Sequence, residues 1–221
     1  MAAMSSPDSI AADCTAEKGV EMSAEEILRR HGKTLLRLAA DSIDHGLREN
    51  RALAVVVADY ATDLGAPGAS FITLKNGDSL RGCIGSALAH QALVLDVAAN
   101  AFAAAFRDSR FPALEIHERG DLSISVSVLS ASENMNFASE AELLSLLRPG
   151  IDGLIINDGV HSALFLPAVW DSLSDPRIFL EHLKHKAGLS ADHWSDSFTA
   201  RRFTAAAVTL FTDGAIAHGE D

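Results

Sequence analysis

Two short runs concentrate the residue types that do chemistry, "SLRGCIG" at Ser79–Gly85 and "FRDSRFP" at Phe106–Pro112. The first places a thiol, Cys83, two positions from a guanidinium, Arg81. The thiolate is the nucleophilic form of cysteine, and a neighbouring cation favours it. On an uninterrupted strand, alternation puts Arg81, Cys83 and Gly85 on one face, so Cys83 and Arg81 are the expected nucleophile and electrostatic partner. Gly82 and Gly85 leave room for a substrate or a neighbouring element to approach the backbone. The bland alternative is that Cys83 is a small buried hydrophobe, the commoner fate of a free cysteine. In the second run, Arg110 offers a planar fork for a carboxylate or phosphate, and Asp108 is placed to orient it or accept a proton. Its structural counterpart is a turn in which Asp108 simply pairs with Arg110.

Other constellations are thinner. His182 and His185 share a helix face at i, i+3, with His161 or His193 as remote third ligands, an incomplete set that predicts no metal. Neither GxGxxG, GxxxxGK[ST] nor GxSxG occurs, so no cofactor is expected. The two cysteines, Cys14 and Cys83, form no CxxC pair, and a disulfide between them is not expected, which fits a reducing compartment.

A formal charge of −12 disfavours a nucleic-acid partner, because long-range repulsion opposes a phosphate backbone. No apolar window is long enough to span a membrane, and residues 1–22 lack a secretory pattern, so a cytoplasmic protein is expected.

These residues need elements to hold them. "SAEE" at Ser23–Glu26 has capping-box spacing, and an apolar stripe from Ile27 to Leu47 predicts a helix to about Arg48. "RALAVVV", Arg51–Val57, reads as a possible strand. Ser70–Lys75 and Ser79–Gly85 form a hairpin turning on Asn76-Gly77, so the thiol sits on its second strand. A buried, alanine-rich helix follows from Ala92 and stops before Pro112, which disfavours helical geometry at Phe111. "DLSISVSVLS" alternates cleanly, with Leu122, Ile124, Val126 and Val128 toward a core.

Ser139 and Glu142 start a short helix, Asp158-Gly159 turns a second hairpin, and Asp175-Pro176 opens a helix that ends before Gly188. Arg201–Phe211 reads as one late strand. Trp170 and Trp194 are expected in packing. The sum is an α+β chain with a mixed, mostly antiparallel sheet. Residues 1–22 read as a disordered leader, 23–212 as one domain and 213–221 as a loose acidic tail.

With its runs "FITLKNGDSLRGCIG", "AFRDSRFP", "ISVSVLS", "LLRPGIDGLII", "FLPAVW" and "FLEHLKHKAGL", the chain resembles the AMMECR family, also called AmmeMemoRadiSam system protein A, over about residues 24–212. Ser109 departs from the proline that relatives often carry between the aspartate and the arginine, which loosens the transfer of a rigid-site role to Asp108 and Arg110. The resemblance implies two unequal lobes around a cleft holding the Arg81–Cys83 segment. It also implies the company of Memo-like and radical SAM proteins in a shared pathway, while the family's own reaction is not established. Two functions are expected from different classes. One is a thiol-dependent enzyme or enzyme component acting on a small or peptide-borne ligand; the other is a non-catalytic module that presents a substrate to those partners.

Overall fold

The computed structural model describes residues 22–220, so the expected leader lies, except for Met22, outside the described residues. Helix α1 (Ala24–Glu49) starts where Ser23 Oγ accepts the Glu26 amide at 3.2 Å and stops at Asn50, whose φ of 52° takes it out of the helix. Arg51–Val57 forms no strand. Its alternation is present, with Leu53, Val55 and Val57 packed on the first core, but the segment has no partner strand and ends in a 3-10 turn, Val57–Asp59.

Strand β1 (Pro67–Asn76) and strand β2 (Ser79–Gly85) make the expected hairpin, with the turn shifted by one residue. Asn76 pairs with Ser79, which leaves Gly77 and Asp78 as the two loop residues, Gly77 at φ 56°. A glycine first with a positive φ only there is the type II′ pattern. The second hairpin repeats it. Strands β6 (Gly153–Asp158) and β7 (His161–Phe165) close on Gly159 and Val160, with Gly159 at φ 59°.

The first sheet runs β10-β9-β4-β1-β2, antiparallel throughout, with β3 (Gln91–Ala92) added to the end of β1. Its remaining members are β4 (Leu122–Leu129), β9 (Ala205–Leu210) and β10 (Ile216–Glu220). The expected loose tail is therefore in part a strand, since backbone pairing along β9 holds Ile216–Glu220. Helices α1 and α2 (Leu93–Phe106) cover one face and bury Ile72, Leu74, Ile124 and Val126 against Leu35, Ile43, Val97 and Ala101.

The second lobe is a four-stranded antiparallel sheet, β5-β8-β6-β7, with β5 at Glu133–Asn134 and β8 at Thr199–Phe203. It packs on α3 (Glu140–Leu146) and α4 (Pro176–Lys186), and Trp170 stacks on Phe179 at 3.8 Å in its core. Arg201–Phe211, read as one strand, serves both sheets: β8 ends at Phe203, and Thr204 passes the chain into β9. The other crossing, from β4 to β5, lies alongside. Ser130 donates its amide to Thr204 O and accepts the Thr204 amide on its hydroxyl, both at 2.9 Å. Ala69, Phe71, Leu129 and Ala205 of the first sheet meet Ile155, Leu164, Leu166 and Phe203 in a small apolar cluster that joins the lobes.

Candidate functional site

Cys83 lies on the sheet face turned away from α1 and α2, opposite Thr73, whose Oγ1 is 3.4 Å from its sulfur. Side-chain periodicity explains the face: Ile72 and Leu74 point into the core, so Thr73 and Phe71 point outward. The thiol is free and partly exposed.

The expected same-face pairing with Arg81 does not form, because a bulge intervenes. Leu74 pairs with Gly82 but Lys75 pairs with Leu80, which leaves Arg81 as the extra residue and resets the alternation. Arg81 turns to the segment that follows α2. Its Nε and Nη2 donate to the two carboxylate oxygens of Glu118 at 2.6 and 3.0 Å, Nη2 also donates to Pro112 O at 3.0 Å, and Phe111 lies against the guanidinium. Arg81 is thus a brace for Phe111–Glu118.

The turn just before that segment, Asp108–Arg110, carries the cation that does reach Cys83. Asp108 is 6% exposed and accepts the Cys83 amide at 2.9 Å, while Arg110 Nη2 donates to Cys83 O at 3.3 Å. Together Asp108 and Arg110 present to the outer edge of β2 an acceptor and a donor, as a neighbouring strand would. The two side chains also pair with each other, Arg110 Nε donating to Oδ1 at 2.9 Å and Nη2 to Oδ2 at 2.6 Å. The Arg110 side chain is nevertheless 53% exposed. Despite Ser109, the loop is tied at both ends to the thiol's own backbone.

The two glycines are occupied by the protein itself. A Cβ on Gly82 would lie 2.1 Å from Ala104 O, and one on Gly85 would lie 2.2 Å from the Phe71 ring. Gly82 lets α2 sit directly on the strand, and Gly85 makes room for Phe71 in the cluster between the lobes.

Two contributors were missed in the sequence: Thr73 and Glu118. Thr73 would have been read from hairpin register only with the bulge known. The other expected candidates go elsewhere, His161 to Ala187 O at 2.9 Å and His193 to Asp158.

Electrostatics follow from these pairs. The Arg81 guanidinium holds Glu118 down from 4.5 to about 2, and Arg110, followed by the Cys83 and Arg110 amides, holds Asp108 well below the usual carboxylate range. A carboxylate whose folded pKa is depressed stabilises the fold above its unfolded pKa and loses that contribution as pH falls through its folded value. Melting temperature should therefore hold above about pH 5 and decline between about 4.5 and 2, a window set by the Glu118 values. Glu118→Gln should cost about 2 kcal/mol at pH 6, since it leaves a mostly buried guanidinium without its counter-charge, and should make the acid decline shallower. Thermal melts of both proteins across pH check this; parallel curves would rule it out.

An α+β fold of two antiparallel sheets joined through a small apolar cluster defines the class of protein. The sequence profile of the AMMECR1 family matches residues 36–208, and the chain belongs to that family. It is similar to a protein of Methanothermobacter thermautotrophicus, 33% identical over 183 residues, which are 80% of this chain and 93% of that one. A protein of Sulfolobus acidocaldarius is 36% identical over 174 residues, 74% of each chain. The crystal structure of uncharacterized protein PH0010 from Pyrococcus horikoshii superposes with a TM-score of 0.81 at 29% identity, covering 91% of this chain and all of that one. No helix among the described residues is long and apolar enough to cross a membrane.

Proposed function

We propose that the chain is a thiol-dependent enzyme, or the thiol-bearing component of one, with Cys83 as nucleophile and Arg110 as its electrostatic partner in place of Arg81. The observation that carries this reading is a free, partly exposed cysteine on the sheet face from which Phe71 enters the cluster between the lobes, its own amide and carbonyl fixed by Asp108 and Arg110. A nucleophile gains from having its backbone held before substrate arrives. In the step proposed, Cys83 Sγ loses its proton to solvent and attacks an electrophilic carbon; a C–S bond forms and the leaving group departs with the displaced electron pair. Arg81 acts at one remove, bracing the segment that follows Arg110.

The test is alkylation by iodoacetamide at pH 7 in a Cys14→Ser background, followed by intact-protein mass spectrometry. Cys83 in the folded protein should react at least as fast as in the urea-unfolded chain, and Cys83→Ser should abolish labelling. Labelling that waits for unfolding would overturn the reading. It would favour instead a binding module that hands substrate to a Memo-like or radical SAM partner, which the internal pairing of Arg81 with Glu118 and of Arg110 with Asp108 also suits.

A further inference from the structure

We propose that the junction at Cys83 takes a substrate bearing a carboxylate or phosphate, gripped between Arg110 of the first lobe and Lys186 of the second. The proposal rests on the reading of Cys83 as the reactive group and names the substrate class of that same site.

Lys186 is the last residue of α4, where a cation ordinarily stands in water and offsets the helix dipole. Here it is fixed. Its Nζ donates to Leu164 O at 3.0 Å and stands 5.1 Å from the centre of the Phe165 ring. Leu164 and Phe71 both pack on the apolar cluster between the lobes, and Phe71 is two residues along β1 from Thr73, which touches the thiol. The end of α4 is thereby brought over the outer face of the first sheet, on the Cys83 side.

Surrounding protein lowers the pKa of Lys186 by desolvation, and the charged groups that act on it are Cys83 and Arg110, with no carboxylate among them. Two residues earlier on the same helix, Lys184 is 0% exposed and has Glu140 Oε2 at 2.7 Å and Ala191 O at 3.0 Å. The fold therefore neutralises the lysine it buries, while Lys186, exposed at the end of the same helix, has no carboxylate partner among the described residues. Arg110 uses Nε and Nη2 on Asp108 and Cys83 O, and among the described residues no partner is seen for its Nη1. Asp108 already pairs with Arg110, so the charge left without a counter-charge is that of Lys186, and an anion beside it would be drawn to both cations. A carboxylate or phosphate placed there would stand beside the nucleophile and bridge the lobes.

The experiment compares iodoacetate with iodoacetamide on the full-length Cys14→Ser protein. In both reactions sulfur displaces iodide from a methylene carbon, so the reagents differ in the charge beside the reacting centre. The ratio of iodoacetate to iodoacetamide rates should be about tenfold higher in the folded protein than in the urea-unfolded chain, the size of effect that local charge focusing produces. It should fall at least about threefold in Lys186→Gln and recover in Lys186→Arg, as expected for a charge contact with solvent access. Succinate should suppress iodoacetate labelling if the group recognised is a carboxylate, and inorganic phosphate if it is a phosphate. A ratio equal to that of the unfolded chain, or one unchanged in Lys186→Gln, overturns the proposal.

If iodoacetamide itself fails to label the folded protein, the thiol reading is what has failed. The anion grip is then read by thermal shift at matched ionic strength. Stabilisation by succinate or phosphate that is lost in Lys186→Gln supports it, and equal or absent stabilisation in the two proteins rejects it.

Discussion

Gly82→Ala is expected to lower the melting temperature by roughly 6–12 °C, the counterpart of about 3 kcal/mol in a domain of this size. The added methyl would sit 2.1 Å from Ala104 O and 3.1 Å from its carbonyl carbon, well inside van der Waals contact. What stands in the way is helix backbone. A flexible side chain would swing aside at small cost, whereas Ala104 moves only if α2 moves, and Ala104 and Ala105 are themselves packed in the first core. Overpacking of this kind usually costs 1–3 kcal/mol and more where the neighbour is rigid, which places about 3 at the upper end of the usual range. Displacement of β2 would also disturb the residue next to Gly82, so alkylation of Cys83 should change in the same variant. Gly120→Ala is the control, because a Cβ there meets nothing within 4 Å, and it should stay within about 0.5 kcal/mol of the parent. Melting of Gly82→Ala within a degree or two of the parent would mean that the strand does not lie on the helix as closely as described.

How much of this was legible follows from the range of the interactions involved. Local signals held: Leu122, Ile124, Val126 and Val128 are all at most 4% exposed, as the alternation of β4 requires, and Ser23, Ser139 and Asp175 each cap the helix that follows. The α+β class and the two hairpins were readable for the same reason, since turn and period are properties of a few adjacent residues. What failed was decided at a distance. The bulge at Arg81 is fixed by how β2 must fit α2 and the Phe111–Glu118 segment at once, and nothing in "SLRGCIG" encodes that demand alone. The run "RRFTAAAVTLF" looks continuous because both halves are strand, yet Thr204 divides them between two sheets. The Asp108–Arg110 turn was foreseen as a pairing, but its attachment to the Cys83 backbone needs the hairpin beside it. The part proposed for Lys186 was invisible, since only tertiary packing ties the end of α4 to Leu164 beside the cluster between the lobes.

Asp96→Ala should be still more damaging, costing about 3–5 kcal/mol, because it removes the acceptor at the centre of a buried network. The carboxylate is 0% exposed and lies in the first turn of α2. Its Oδ2 accepts the Ser70 amide at 2.8 Å, the Ser70 hydroxyl at 2.7 Å and Asn100 Nδ2 at 2.9 Å, and its Oδ1 accepts the Ser86 hydroxyl at 2.6 Å and Gln91 Nε2 at 3.3 Å. Truncation leaves several buried donors facing an apolar methyl, and each lost partner carries a desolvation penalty that no water replaces in a closed site. Asp96→Asn is not a rescue. Its amide would keep the shape but turn one acceptor into a donor among donors, so it should recover only part of the loss. The network also holds Ser86, the residue after Gly85, whose amide bonds Ser70 O at 2.9 Å, so it fixes where the thiol-bearing strand ends. Both variants should therefore alter the labelling of Cys83 in the folded state as well as unfold at lower denaturant. Urea unfolding with an unchanged slope and a midpoint shifted down is the expected result. A shift of less than 1 kcal/mol in Asp96→Ala would show that the network reorganises around the loss and does not position the strand.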